Sequence, residues 1–440
     1  MGVMMFKKYL FVFAVLFIIP YFLCAGVMMQ GFYWDVPAGG TWYNVLASKT
    51  KELKAAGFTA IWFPPPTKGM SGGYSMGYDV FDHYDLGEYN QKGSVETRFG
   101  SIEELKAAIK AFHAEGIQVY ADAVMNHMTG GDLEDNPYTA GQTWTKFIYP
   151  HHKFEKNYEY FIPNGRSCFE DEYFCGDWGP ELCHEYSYVG EELKKWGKWL
   201  IDEIGFDGFR LDAVKCISPT YIASWKSATG GKFIVGEFFD SNINLLNNFV
   251  NQSGIAVFDF PLRDVLRDMC NDTKGYFDMR RLAYSGFTAV NPFMSVTFVE
   301  NHDVDRSDPI LTDKMLAYAY ILTSEGFPTV FWKDYYNYNL KPYIDPLIWI
   351  HENLASGSTK ILYTDGDIYV AARDNYIVYI NDNPYSGKNA GNIKTPWPNT
   401  TLKDYTGNIK DTPKTDAAGY LIDYYLWAPA RGYSVWGPAK

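Results

Sequence analysis

The sequence is short of positive charge. Its 39 Lys and Arg stand against 52 Asp and Glu, a formal net charge of −13 over 440 residues. A fold this acidic repels phosphate backbones, which argues against nucleic acid as a partner. A neutral polymer would be indifferent to it, and surplus carboxylates suit a hard cation such as calcium. A glycine-rich phosphate loop is also missing. The turn after the first strand-like run reads QGFYWDVPAGG, which does not fit GxGxxG, so an open doubly wound sheet is disfavoured. No internal repeat or low-complexity segment occurs. Hydrophobic content of 47% with 21% charged residues excludes a disordered chain. What is plentiful is aromatic: 35 Tyr, 30 Phe and 13 Trp. Most of these belong in a core, while exposed ones offer platforms for the flat C–H faces of sugar rings.

Charge is absent from residues 9–23, which follow Lys7 and Lys8 and precede the small residues Ala25 and Gly26. This is the pattern of a secretory signal, expected over residues 1–26, with the protein secreted. The run is shorter than the about 20 apolar residues of a spanning helix, so membrane association is expected only if the leader is uncleaved. Cysteine is scarce, six in all. Cys24 lies in the leader, Cys168, Cys175 and Cys183 crowd one short region, and Cys216 and Cys270 stand alone. Two readings of the crowded three stay open: a disulfide between two of them, or a metal site, although their spacing is not a recognised zinc pattern.

Strand-like runs alternate with amphipathic stretches for about 330 residues, a length that one barrel accommodates. Strands are expected to start near residues 27, 60, 118, 209, 233, 256, 295 and 329, with helices over 46–56, 102–115, 191–204, 261–269 and 313–322. Such alternation implies parallel strands with crossover helices, and eight strands match a closed (β/α)8 barrel. Residues 126–187 break the rhythm and are too long for a plain loop, so a small inserted domain is expected after the third strand. From residue 356 short alternating strands with turn signals at Asp365-Gly366 and Asp374-Asn375 predict an antiparallel β-sandwich to residue 440. The barrel then comprises residues 27–125 and 188–355.

Barrel chemistry sits at the C-terminal ends of strands. Four segments carry acids there: DAVMNH (122–127), GFRLDAVKC (208–216), IVGEFFD (234–240) and TFVENHD (297–303). A single acid after a strand is ordinarily a cap or turn residue. Four of them, aimed at one cavity by closure, suit glycosidic cleavage, which needs an acid for the leaving oxygen and a carboxylate for the oxocarbenium-like centre. Asp212 is the expected nucleophile, with Arg210 on the same strand face to orient it. Glu237 is the expected general acid, its pKa raised by the apolar run before it. Asp303 is the third carboxylate, and His127 and His302 are donors to hydroxyls or developing charge.

These four segments, in this order, resemble glycoside hydrolase family 13, the α-amylase family. Asn126-His127, Arg210-x-Asp212 with Lys215, Gly236-Glu237 and Asn301-His302-Asp303 carry the likeness. The stretches QGFYWDVP, AIWFPPPTKGMSGGYSMGYDVFD and YDLGEYNQKGSVETRFGS look like the α-amylases of hyperthermophilic archaea and their close relatives. The resemblance implies a retaining endo-hydrolase of α-1,4-glucans and maltooligosaccharides, acting as a monomer. A 4-α-glucanotransferase on the same scaffold is the alternative, and a non-catalytic glucan-binding protein a third. It implies Tyr78 stacking on the sugar at the cleavage site, lined by His127, Arg210 and His302, with Asp122 beneath and Lys215 reaching sugars beyond the cut. It further implies a structural calcium ion held by Asn126, by acids of the inserted domain (Glu181, with Asp171, Glu172 or Asp177) and by the backbone carbonyl of Cys216. The family's second metal, such as zinc, lacks its paired histidines here, since Ile162 and Ser167 occupy that stretch; Cys168 or Cys175 is the alternative partner of Cys183.

Overall fold

The computed structural model describes residues 26–169 and 178–439. Eight parallel strands close into a barrel in chain order: β1 (Met28–Gln30), β2 (Ala60–Trp62), β3 (Gln118–Ala123), β4 (Gly208–Leu211), β5 (Phe233–Gly236), β6 (Ala256–Phe258), β7 (Ser295–Phe298) and β8 (Phe327–Phe331). β1 pairs with both β2 and β8, which closes the ring. The strands are short and nearly all their residues are buried, as expected where helices cover the outside and side chains fill the inside.

Local signals set the helix ends. Helix Ile102–Ala114 opens on a capping box in which the Ser101 side chain accepts from the Glu104 amide and Glu104 reaches back. The stretch expected as one helix over 46–56 is two, Trp42–Ser48 and Thr50–Ala56, the second stopped by Gly57 at φ 106°, a conformation that favours glycine. The stretch expected over 191–204 starts earlier, as Ser187–Trp199, and finishes in a wider π-helical turn, Leu200–Ile204. The first strand ends at Gln30, so Phe32, Tyr33 and Trp34 belong to the loop at the mouth of the barrel.

Between β3 and helix Ser187–Trp199 the chain leaves the barrel. It forms a hairpin, Asp132–Asp135 with Gln142–Lys146, and returns to the β3 end through the pairing of His127 with Glu181. A disulfide joins Cys168 to Cys183. Cys216, which stands alone in the sequence, is also disulfide-bonded, with its partner outside the described residues, whereas Cys270 is a buried free thiol. Asp171, Glu172, Cys175, Asp177 and the leader expected to end at residue 26 also fall outside the described residues, Gly26 excepted.

After helix Lys341–Leu354 the chain forms an antiparallel sheet from β9 (Lys360–Thr364), β10 (Ile368–Arg373), β11 (Tyr376–Asn381), β12 (Leu402–Asp404) and β13 (Gly432–Pro438), in the order β9-β10-β11-β13-β12. Strand alternation divides its side chains. Tyr369, Ala371, Tyr376, Val378 and Ile380 join the barrel's core, while Ile368, Val370, Ile377, Tyr379 and Trp436 form a second core on the far face. Among the described residues no helix is long and apolar enough to cross a membrane.

Candidate active site

Register across the barrel lines up the acidic strand ends. Asp122 pairs in register with Arg210, Arg210 with Val235, and Leu211 with Gly236. Asp212 and Glu237 therefore emerge side by side one residue later, their backbones tied by Glu237 N donating to Leu211 O and Asp212 N to Ala123 O. Gly236 is needed there: a Cβ would stand 3.0 Å from a methyl of Val214 and 2.9 Å from Ile255. Ala213, between the two acids' loops, sits at φ 47° and ψ 45°, a left-handed conformation that costs a non-glycine residue on the order of 1–3 kcal/mol. That twist aims its amide at Glu237 Oε2, 3.2 Å away.

Arg210 is the hub. It is 1% exposed, and its guanidinium donates to Asp122 (2.9 Å) and to Asp212 (2.6 Å) and is ion-paired with Glu237 (3.0 Å). Asp122, also 1% exposed, is filled from the other side by the hydroxyl of Tyr78 (2.7 Å) and the indole N–H of Trp62 (3.0 Å). Asp122 thus lies under the floor, where it holds Tyr78 and Arg210 in place and does not line the cleft. Burial, chiefly, pushes the Glu237 carboxyl up to about 8; the Arg210 charge opposes this, and Asp212 and Asp303 add to it. Burial raises Asp303 as well.

Across the cleft, Asn301 Oδ1 accepts from the amides of Asp303 and Val304 and so fixes the turn after β7. Gln30 donates to His302 Nδ1 at 3.0 Å, which leaves the proton on Nε2, 3.2 Å from Asp303. Burial and then the nearby Arg210 charge lower the pKa of His302 far below the ordinary histidine value, so the ring is neutral. It lies parallel to Tyr78, with centroids 5.0 Å apart and planes 7° apart. His127 donates through Nε2 to the Tyr78 carbonyl at 2.9 Å.

The resulting cleft has a volume of about 1070 Å³ and is lined by Tyr78, His127, Asp212, Lys215, Glu237, His302 and Asp303 among others. Lys215 donates to Asp240 and to the Phe239 carbonyl, at 2.9 and 3.1 Å, on the Glu237 side. Of the residues expected to hold a metal, Asn126 and Glu181 meet, the amide 3.2 Å from the carboxylate. Cys216 lines the cleft near Lys215. Among the described residues no three His, Cys, Asp or Glu side chains converge as a metal site.

Several residues of the site were not legible as such in the sequence. Gln30, Trp34 and Trp62 lie at or just past the ends of β1 and β2, where strand-like aromatic sequence reads as core. Trp178 lies against His127, with ring centroids 5.7 Å apart. For Gln30, Trp34 and Trp62 the signal that could have found them is the one used for the acids, position at a strand's C-terminal end, applied to amides and aromatics as well; Trp178, in the inserted segment, carries no such signal.

Comparison with known proteins agrees with this geometry. Residues 38–334 match the alpha amylase catalytic domain, and residues 376–437 the alpha-amylase C-terminal domain. The α-amylase of Geobacillus stearothermophilus is 34% identical over an alignment covering 94% of this chain and 87% of that protein. The glucan 1,4-alpha-maltohexaosidase of Bacillus sp. (strain 707) is 34% identical over 76% of each. Among solved structures, the α-amylase of Geobacillus thermoleovorans complexed with acarbose superposes with a TM-score of 0.66 at 20% identity, covering 95% of this chain and 99% of that one. That of Malbranchea cinnamomea gives 0.71 at 18%, covering 94% and 95%. At those identities the likeness shows the fold alone. Strand ends with paired carboxylates in a barrel mouth define a glycoside hydrolase. With both family matches in hand, the chain belongs to the α-amylase family, glycoside hydrolase family 13.

Proposed function

We infer that this chain is an α-amylase, an endo-hydrolase of α-1,4-glucosidic bonds in starch- and glycogen-type glucans that retains anomeric configuration. One observation carries the reading: a single buried guanidinium touches both Asp212 and Glu237, so nucleophile and acid open into one cleft. Asp212 attacks the anomeric carbon as its bond to the leaving oxygen breaks, and Glu237 gives that oxygen its proton. Water then cleaves the glycosyl ester, and Glu237 takes a proton back from it. Asp303, held by neutral His302, binds the hydroxyls of the flattening ring, and Tyr78 stacks beneath it. Relatives named as α-amylases over most of the chain support the same activity. The test is product analysis on soluble starch. Rapid loss of iodine staining with new reducing ends, first released as the α-anomer, is expected. Staining lost with few new reducing ends would make the chain a transferase, and β-anomer first would overturn retention.

A structural calcium ion belongs to this proposal. Asn126, 1% exposed, donates its amide N–H to the Glu181 carboxylate where the inserted segment meets β3, which puts two oxygen-bearing side chains of the kind that suits calcium at one place. Asp171 and Glu172 would add carboxylates and Cys216 its carbonyl, and the ion would supply a cross-link with no part in bond cleavage. Verified removal by a chelator is expected to lower the melting temperature; an unchanged curve would overturn the assignment. No second metal is proposed, because Cys183 is spent in the disulfide with Cys168. The disulfides and the leader support secretion. The chain is read as a monomer. The affinity to archaeal enzymes rests on the QGFYWDVP-type stretches, while the sequence relatives named above are bacterial.

A further inference from the structure

A second concavity lies outside the cleft. Its volume is about 530 Å³, and its walls include Asp305, Leu311, Asp313, Lys314, Tyr338 and Arg431. None of its lining residues lines the cleft. It sits where the barrel meets the C-terminal sheet: Arg431, just before β13, reaches across to Asp313, nitrogen and oxygen 2.7 Å apart. Asp305 follows Asp303 by two residues, in the short helical turn Val304–Ser307. Two residues of helix turn a side chain by about 200°. Asp305 therefore faces away from the cleft, while its Cα stays within about 8 Å of that of Asp303.

The backbone around this pocket is strained. Asp313, Asn339 and Arg431 have φ of 47°, 57° and 46°, three of the eight non-glycine residues with positive φ among the described residues. Asp313 and Arg431 line the pocket, and Asn339 lies between Tyr338 and Leu340, which also line it. Such conformations persist only where the surroundings enforce them, and they gather at ligand sites. The charges then name the kind of ligand. The lining holds two acids and two bases, and all four are ion-paired: Asp305 with Lys333, Asp313 with Arg431, and Lys314 with Asp334 and Glu300. An ion gains little from a lining whose charges sum to zero. A neutral polyhydroxyl ligand gains more, because a carboxylate that already accepts one bond can accept others from hydroxyls. Tyr338 supplies an apolar surface. Its hydroxyl donates to Asp305 at 3.3 Å, and the ammonium groups of Lys314 and Lys333 lie 4.8 and 5.3 Å from its ring centre. Held in this way, the residue is still 45% exposed, and beside it Leu311 is 76% exposed. We propose that this pocket is a second, non-catalytic site for α-glucan, holding one stretch of a polymer while the cleft cuts another. A sugar ring packs on Tyr338, and its hydroxyls donate to Asp305 and Asp313. A long chain held so close to Asp303 meets the cleft at a raised effective concentration, an advantage that a short oligosaccharide lacks. The proposal rests on the α-amylase reading.

The test separates polymer binding from cleavage. Binding is read as retardation of the full chain in a native gel containing glycogen, with Glu237→Gln as the parent so that the polymer is not digested. Cleavage is read as kcat/KM on maltopentaose with Glu237 restored. Tyr338→Ala is expected to weaken glycogen binding roughly tenfold, the worth of one good aromatic contact, and to change kcat/KM on maltopentaose by less than about twofold. Leu311→Arg, a surface change that puts a long charged side chain at the pocket's edge, is expected to weaken glycogen binding by a smaller factor, again with maltopentaose cleavage kept. Unchanged glycogen binding in Tyr338→Ala would overturn the proposal. So would an equal fall in maltopentaose cleavage, which would make the pocket part of the cleft's own machinery. Should Tyr338→Ala fail to fold, the same two outcomes in Leu311→Arg decide. The unmodified enzyme, assayed alongside on soluble starch, separates this from the α-amylase reading, which fails only if the wild-type chain does not cut internal bonds with retention.

Discussion

Two arginines in this barrel are each 1% exposed and each grip carboxylates at strand ends, yet they serve different ends. Arg210, at the end of β4, holds Asp122, Asp212 and Glu237. Arg263, on helix Phe260–Asn271 after β6, holds Glu300 at 3.3 Å and Asp308 at 2.9 Å. Glu300 is closed on every side: its oxygens also meet Lys314 at 3.3 Å and the amide of Ile310 at 2.6 Å, and its side chain is 0% exposed. Asp212 and Glu237 keep 10% and 13% of their side chains open to a cleft. A buried ion pair becomes chemical machinery when one face of the carboxylate is left for a substrate, and a structural tie when it is not. Glu300 directly precedes Asn301-His302-Asp303, so its network anchors the turn that carries the third catalytic carboxylate.

That contrast can be broken by experiment. The largest effect is expected at the open pairs. Asp212→Asn should lower kcat by at least about 10⁴-fold, as removing one member of an interdependent catalytic set does. Glu237→Gln should lower it by about 10²–10⁴-fold, and neither should lower the melting temperature. Near-normal turnover in either variant would remove the distinction. At the closed pair the effect should move to stability: Arg263→Ala leaves Glu300 buried beside a missing partner and should cost about 3–5 kcal/mol in denaturant unfolding. Turnover of the fraction that stays folded should fall far less than in the open-pair variants, by what a loosened Asp303 turn costs. The smallest effect is the pH response of Glu237. Burial lifts its carboxyl to about 8, so the proton needed for catalysis is present below that pH, and kcat/KM should fall about tenfold per unit above it. The same shift works against stability. The unfolded carboxyl loses its proton near the ordinary value of 4.5 while the folded one keeps it to about 8, so stability falls as pH rises between the two. Glu237→Gln should flatten that decline.

Particular residues show how far the sequence could be read. The strands begin within two residues of where apolar runs follow helix stops, because burial on both faces leaves a continuous apolar signal. Asp212, Glu237 and Asp303 were legible because a strand end is the one place in a barrel where an isolated acid faces a cavity. Trp34 and Trp62 were not, because an aromatic at a strand end has the composition of a core residue until its neighbours are known, and Gln30 was not, because a single amide at a strand end carries no charge to mark it. The cysteines were ambiguous because spacing does not determine connectivity. Cys168 pairs with Cys183, and Cys216 proves not to be alone.

The left-handed backbone at Ala213 has a consequence for anyone seeking a hardier enzyme. Replacing such a residue with glycine removes the strain of a left-handed Cβ, a direct route to a more durable protein. Here the same twist points an amide at the acid that delivers the proton, so the gain in robustness would come with a looser grip on Glu237. Thermal improvement of this protein is better sought in the second core of the C-terminal sheet, where no residue of the cleft depends on the backbone staying as it is.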